Sequence, residues 1–390
     1  MRILSIHNGY QIRGGEDESC LSEQRLLRDR GHEVSVYEEN NDRINTLSSA
    51  QLAIKTIWSQ ESYELVRNKL REKPYDLVHV QNFFPLISPS VFYAAKREKV
   101  PIVQTIRNYR LLCPNALFFR DGKVCEDCMG KPIPYPGVIH KCYRRSLGPS
   151  LMSATMLTVH RVLGTWSRMV DLYITLTHFS RNKLIEGGVS PDKIVVKPNF
   201  IDPDPGIGEG TGDYAIYLGR ISVEKGLDVL IDAWKQLSTP VPLKIVGDGP
   251  LAEPLAAETR SMPHIEWLGR KSMQEAYDLI GNAKFLIFPS KWYETFGRVA
   301  VEAFAKGTPV IASNIGAIAE LIDHEETGLL FKPSNAKDLA QKVEWILEHP
   351  QILKTMRKRV RSEYEMKYTA QGNYQQLMTI YDRLLSNSRH

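Results

Sequence analysis

Lys284-Phe285-Leu286-Ile287-Phe288, then Pro289-Ser290-Lys291-Trp292-Tyr293-Glu294-Thr295-Phe296-Gly297-Arg298, then Val299-Ala300-Val301-Glu302-Ala303-Phe304-Ala305, then Lys306-Gly307-Thr308-Pro309-Val310-Ile311-Ala312: this stretch decides the fold. Its first block is a short apolar run, read as a buried strand over 284–288. The third block has the spacing of an amphipathic helix over 299–305, and the fourth ends in a second strand over 309–312. Strand, loop, helix and strand in this order make a crossover unit, which requires a parallel sheet.

Working outward, the same alternation occurs twice. Toward the N-terminus the second series has strands over 214–218 and 242–246 and helices over 227–236 and 272–280. The first series has an apolar strand over 2–7, a glycine-bearing loop over 8–15, a helix over 16–30 ending at Gly31, and a strand over 33–37. Further strands are read over 76–80, 101–105, 172–176 and 193–196, with a helix over 180–187. Between the two series, 198–212 carries Pro198, Pro203, Pro205, Gly206, Gly208, Gly210 and Gly212, which reads as a linker. The chain after 335 is helical and charged.

Composition agrees with two globular domains. The chain has 390 residues, 43% hydrophobic and 24% charged, which excludes wholesale disorder and fibrous classes. Met1 is followed by Arg2 and a strand rather than a signal-peptide pattern, and no uncharged apolar run is long enough to span a bilayer. With five cysteines and no secretion signal, a reducing cytoplasm is expected. The charge is uneven. Between Lys96 and Lys183 there are 15 basic and 5 acidic residues, a net of +10. That face suits an anionic lipid surface or a pyrophosphate-bearing acceptor. No nucleic-acid partner is expected, because no recognition motif accompanies the charge.

In open parallel sheets ligands sit beyond the carboxyl ends of the strands, so the loops after the strands carry the chemistry. A helix opening near Phe296-Gly297 offers unpaired N–H groups and the positive end of its dipole to a diphosphate. Gly297 allows close approach. Glu294, in the loop ahead, can accept hydrogen bonds from sugar hydroxyls, and Glu302, eight residues on, can accept them from two vicinal ribose hydroxyls.

The string resembles the Glu-x7-Glu signature of retaining glycosyltransferases of family 4, which have the GT-B fold. Tyr217-Leu218-Gly219-Arg220-Ile221-Ser222-Val223-Glu224-Lys225-Gly226 is similar to that family's phosphate-contacting loop. Ile245-Val246-Gly247-Asp248-Gly249-Pro250 and Arg13-Gly14-Gly15-Glu16 are similar to two further glycine loops. The resemblance runs from Met1 to about Tyr381. It implies a nucleotide diphosphate sugar as donor and a saccharide or polyprenyl-linked acceptor, with retained configuration and no catalytic metal or other cofactor. Glu294 would orient the donor sugar, and Arg220 and Lys225 would offset the charge on the leaving diphosphate. Gly14, Gly15, Gly247, Thr295, Phe296, Gly297, Arg298 and Glu302 would line the nucleotide-sugar site.

One position departs from the family. In Gln104-Thr105-Ile106-Arg107-Asn108, Arg107 stands where the resemblance leads one to expect a histidine near the sugar. A guanidinium is no general base at neutral pH, but it can hold a hydroxyl or a phosphate. His79, at the end of a strand, is read either as a cleft residue or as a structural one. Cys113, Cys125, Cys128 and Cys142, spaced Cys-x11-Cys-x2-Cys-x13-Cys in a loop-rich insertion over about 110–145, are compatible with a structural zinc site or with four free thiols. The apolar stretch 151–163 with Trp166 reads as a core helix or as one lying in a membrane surface.

The expectation is α/β: two Rossmann-like domains with parallel sheets facing across a cleft. Residues 1–197 form the acceptor-side domain, 198–212 the linker, 213–365 the nucleotide-sugar domain, and 366–390 a helix crossing back. The expected activity is a metal-independent retaining hexosyltransferase in surface polysaccharide assembly, cytoplasmic and peripheral on the inner membrane face. A nucleotide-sugar epimerase of the same architecture and a silent nucleotide-sugar-binding subunit remain open.

Overall fold

The computed structural model describes residues 1–12 and 14–387. The glycine-loop residue Arg13 and the last three residues of the expected C-terminal helix lie outside the described residues. The chain forms two compact units. One comprises Met1–Phe118, Cys125–Pro198 and Asn373–His390, the other Phe119–Val124 and Asn199–Gly372.

The strands in chain order are β1 (Arg2–Gly9), β2 (Glu33–Asn40), β3 (Leu77–Asn82), β4 (Ile102–Ile106), a small hairpin of β5 (Phe119–Arg120) and β6 (Lys123–Val124), β7 (Leu172–Thr175) and β8 (Ile194–Val196). The first unit's sheet has the order β2-β1-β3-β4-β7-β8, parallel throughout. Strands β3, β4 and β7 are buried along their whole length, as helices on both faces require. The final helix, Ala370–Asn387, supplies Leu377, Ile380, Tyr381 and Leu384 to a core with Ile3, Leu27, Leu77, Val103 and Ile174.

In the second unit β9 (Ala215–Leu218), β10 (Leu243–Val246), β11 (Ile265–Gly269), β12 (Phe285–Phe288), β13 (Val310–Ser313) and β14 (Gly328–Phe331) form a sheet of order β11-β10-β9-β12-β13-β14, again parallel. The order reverses at β9, whose neighbours are β10 and β12. The loops after these three strands therefore open at a topological switch point, where such sheets bind ligands. The helical tail resolves into Ala336–Glu348, Pro350–Lys367 and Ala370–Asn387.

Three sequence readings are settled by burial. Trp166 is 8% exposed and stacks on Phe83 at 5.8 Å between ring centroids, so it belongs to the core and not to a membrane-facing surface. Its neighbouring helix, Leu147–Val162, buries Ala154, Met156 and Leu157 on a core face and leaves Leu147, Leu151 and Val162 exposed on the other. His79 is 1% exposed and bonded on both nitrogens, to the Tyr381 hydroxyl at 2.7 Å and the Thr105 hydroxyl at 2.8 Å. Burial holds it down to about 4, so it is neutral near pH 7 and structural.

Candidate functional site

The site in the second unit is built by glycines that let loops close on one another. After β9 the chain makes a 3-10 turn, Val223–Lys225, and passes through Gly226 at φ +71°. A Cβ there would stand 2.0 Å from the Pro289 carbonyl oxygen. Only glycine lets this turn pack against the loop after β12. Two contacts stitch the loops: Lys291 N–H donates to the Glu224 carbonyl at 2.8 Å, and Lys291 Nζ to Asp228 Oδ2 at 2.7 Å. Gly247, after β10, has φ +139°, and a Cβ there would meet the Gly219 carbonyl oxygen at 1.8 Å.

This closure brings Lys225 to Glu294. The carboxylate is 7% exposed. Its Oε1 accepts from Lys225 Nζ at 2.6 Å, Ser290 Oγ at 2.8 Å and Trp292 Nε1 at 2.9 Å. Lys225 Nζ also stands 5.4 Å from the Trp292 ring centroid, within cation–π range. A carboxylate so bonded is fixed in direction. Ser290 and Trp292 are residues whose holding role the sequence reading did not assign. The signal was present, since both lie within four positions of Glu294.

Three residues on, Gly297 caps the helix Arg298–Ala305 at φ +112° with no side-chain cap. The first amides of that helix therefore receive no bond from a capping side chain. Phe296 is buried edge-on against Tyr368, and Thr295 is half-buried. Glu302 is paired with Arg298, Nε to Oε1 at 2.9 Å, so a ribose there would share or displace that pair. Arg220 is exposed, its backbone carbonyl held by the Tyr217 hydroxyl at 2.8 Å. Arg220, Lys225, Gly247, Glu294 and the start of the Arg298–Ala305 helix thus all belong to loops after the adjacent strands β9, β10 and β12.

In the first unit, Gly14 and Gly15 are exposed at the start of the helix Gly15–Asp29. Asp17 accepts from Gly14 N–H at 3.0 Å and Tyr10 N–H at 3.3 Å, which fixes the glycine loop. His7 Nε2 lies 2.8 Å from Asp17 Oδ1. Burial lowers the His7 pKa, but the bond to Asp17 and the nearby Cys20 and Glu16 outweigh it and raise it to about 10. Glu16 Oε2 accepts from the Tyr10 hydroxyl at 3.0 Å and from Asn108 at 3.4 Å. Burial pushes its carboxyl above the usual range, against the pull of Arg107.

Arg107, at the end of β4, is 7% exposed. Its Nε donates to Gln81 Oε1 at 2.9 Å, and Gln81 donates to Glu23 at 2.6 Å. Glu23 also accepts from Lys197 Nζ at 3.0 Å, and Lys197 donates to Asn373 Oδ1 at 2.8 Å. Burial opposes the Glu23 charge, but Lys197, His79 and Arg107 hold its pKa down to about 2. This chain of buried polar groups went unseen in the sequence. Arg107, Asn108, Arg110, Gln81, Gln104 and Phe84 border a small pocket open to solvent.

Residues 14–205 match the family model described as Glycosyltransferase Family 4, and residues 204–363 match Glycosyl transferases group 1. The chain belongs to the group 1 glycosyltransferases. This glycosyltransferase is 32% identical to the D-rhamnosyltransferase WbpZ of Pseudomonas aeruginosa over 40% of its own length and 42% of the relative's. It is 29% identical to an uncharacterized glycosyltransferase of Methanocaldococcus jannaschii over 55% of its length and 60% of the relative's. The matches thus span well under the full length of those relatives. The Anabaena protein HepE, solved with UDP-glucose, superposes with TM-score 0.71 at 19% identity, covering 98% of this chain and 100% of that one. The fold is GT-B.

Proposed function

We propose that this glycosyltransferase moves a sugar from a nucleotide diphosphate sugar to a hydroxyl of a saccharide or lipid-linked saccharide, with retention and without a metal. The observation that carries the reading is Glu294, buried and held by Lys225, Ser290 and Trp292 just ahead of the uncapped helix start at Gly297. In this reading Glu294 orients the donor sugar and Glu302 the ribose. Arg220, Lys225 and the amides from Phe296 onward bear the charge of the leaving diphosphate, the task a metal performs elsewhere. Thr295, Arg298 and Gly247 line the donor in this reading, and in the first unit the exposed Gly14 and Gly15 leave room for a phosphate close to the backbone.

The acceptor oxygen bonds to the anomeric carbon as that carbon's bond to the phosphate oxygen breaks. The acceptor's proton passes to the leaving phosphate oxygen. Arg107 takes no proton in this scheme and holds a hydroxyl or a phosphate instead. The HepE complexes with UDP and UDP-glucose make UDP the first nucleotide to try.

We further propose a peripheral position on an anionic membrane, serving surface polysaccharide assembly. Among the described residues no helix is long and apolar enough to cross a membrane. Support for the surface contact comes from Ile133, Tyr135, Ile139, Leu147 and Leu151, all 52–65% exposed, in a segment that also carries Lys131, Lys141, Arg144 and Arg145.

The test is nucleotide release from a panel of donors, with and without a lipid-linked saccharide extract and with and without a chelator, followed by assignment of the product's anomeric linkage. Acceptor-dependent, chelator-insensitive release with a retained linkage is expected. Consumption without any acceptor identifies an epimerase, and donor binding without turnover identifies a silent subunit.

A further inference from the structure

The insertion holding four of the five cysteines contains little regular secondary structure. Between β4 and the helix Leu147–Val162 its regular structure is the two-residue strands β5 and β6 and the five-residue helix Tyr135–Ile139. Yet Ala116, Phe118, Asp121, Lys141, Arg144 and Arg145 all hold φ between +48° and +65°. Non-glycine residues keep that conformation only where their surroundings over-determine it.

Local turns fix the backbone at three of the cysteines. Cys113 N–H donates to the Tyr109 carbonyl at 2.9 Å, and Cys125 N–H to the Phe118 carbonyl at 2.8 Å. Cys142 N–H donates to the Gly137 carbonyl at 2.9 Å. Gly137 lies so close to Pro114, the neighbour of Cys113, that a Cβ would stand 2.8 Å from the proline ring. Cys128 Sγ lies 3.7 Å from the Pro134 carbonyl, at the start of the same short helix. Cys113, Cys142 and Cys125 all lie near enough to Cys128 to act on it electrostatically. None of the four is in a disulfide.

A cation already waits beside them. Arg161 is braced on the backbone carbonyls of Lys131 at 2.6 Å and Leu111 at 3.1 Å, and it acts electrostatically on Cys128. Among the described residues no three His, Cys, Asp or Glu side chains stand as a formed metal-holding group. A closed ligand set would require the thiols to turn toward one another.

We propose that Cys113, Cys125, Cys128 and Cys142 bind one zinc ion, which staples the insertion to the first unit. Each thiol gives its proton to solvent, and four thiolates around Zn²⁺ leave a net charge of −2 beside Arg161. With four protein ligands the site has no open position, so its role is structural. It draws on none of the residues assigned to donor binding, and it stands or falls independently of the proposed activity.

Full-length protein, purified under reducing conditions without chelator, tests this by elemental analysis. One zinc per chain is expected, released by a mercurial reagent as thiols are titrated and lost in Cys125→Ser and Cys142→Ser. Should those variants fail to fold, wild-type protein reloaded with Co²⁺ must show the visible bands of a tetrahedral thiolate site. Folded protein that takes up less than about a tenth of an equivalent of zinc overturns the proposal. So does iron in its place, or a disulfide between any two of the four.

Discussion

Replacing Lys197 with methionine removes one half of an ion pair that is almost wholly out of water. The Lys197 and Glu23 side chains are 2% and 3% exposed, with Nζ 3.0 Å from Oε2. Methionine fills the same volume, so the main consequence is a buried carboxylate that keeps only its bond from Gln81 and the weaker influence of His79 and Arg107. Removing one partner of such a pair costs about 3–5 kcal/mol. The carboxylate has one escape, which is to take a proton. From its ordinary value of 4.5 this costs about 3.4 kcal/mol at pH 7 and about 2 kcal/mol less at pH 5.5. Lys197→Met should thus lose about 3 kcal/mol at neutral pH, and the loss should shrink with acidification. The converse variant, Glu23→Gln, has the higher ceiling, about 4.8 kcal/mol, because a lysine with an ordinary value of 10.5 must shed its proton. The double variant should recover part of both losses. In a unit of this size, 1 kcal/mol moves the midpoint by about 2–4 °C, so Lys197→Met should melt about 6–12 °C lower. Thermal unfolding at pH 7 and pH 5.5 across the four-protein cycle reads all of this. A loss below about 1 kcal/mol, or one that grows on acidification, would refute the reasoning.

Other perturbations give separate readings. Gly226→Ala places a Cβ 2.0 Å from the Pro289 carbonyl at φ +71°, so nucleotide affinity should fall more than about tenfold by calorimetry while the first unit's unfolding is unchanged. Glu294→Ala and Lys225→Ala should each lower turnover more than about tenfold, since each contact supplies over about 1.4 kcal/mol in the transition state; smaller losses in both count against the assignments. His79, neutral in the fold with a pKa of about 4 against an ordinary 6.5, must bind a proton more readily once unfolded. Its contribution to stability is complete above pH 6.5 and is lost as pH falls toward 4. His79→Gln should flatten that part of the stability profile. Trp166→Ala should cost about 3–5 kcal/mol of stability, the cost of emptying a core site, while binding to anionic vesicles is retained by the folded fraction.

The parts of this protein that were legible in its sequence are those carried by short-range pattern. Buried parallel strands read as apolar runs, and the βα alternation on either side of the 198–212 segment gave both sheets. Strands β11 and β14 escaped, because Ile265–Gly269 is only partly buried and Gly328–Phe331 follows a turn without a clear period. In the second unit, Glu294 and Gly297 stand in one string, so the loop and the helix start were visible together. That Lys225 meets Glu294 was not visible by pattern, since 69 positions separate them and the contact depends on Gly226 closing on Pro289. The Glu23–Lys197 pair spans 174 positions and has no local signature.

The central claim is that the strand ends of the second unit hold a nucleotide diphosphate. Calorimetric titration with UDP, GDP, ADP and dTDP, alongside Lys225→Ala and Glu302→Ala, tests it most directly. Binding of one nucleotide, weakened in both variants, is the predicted result. No binding of any of the four, or binding untouched by both substitutions, would contradict it.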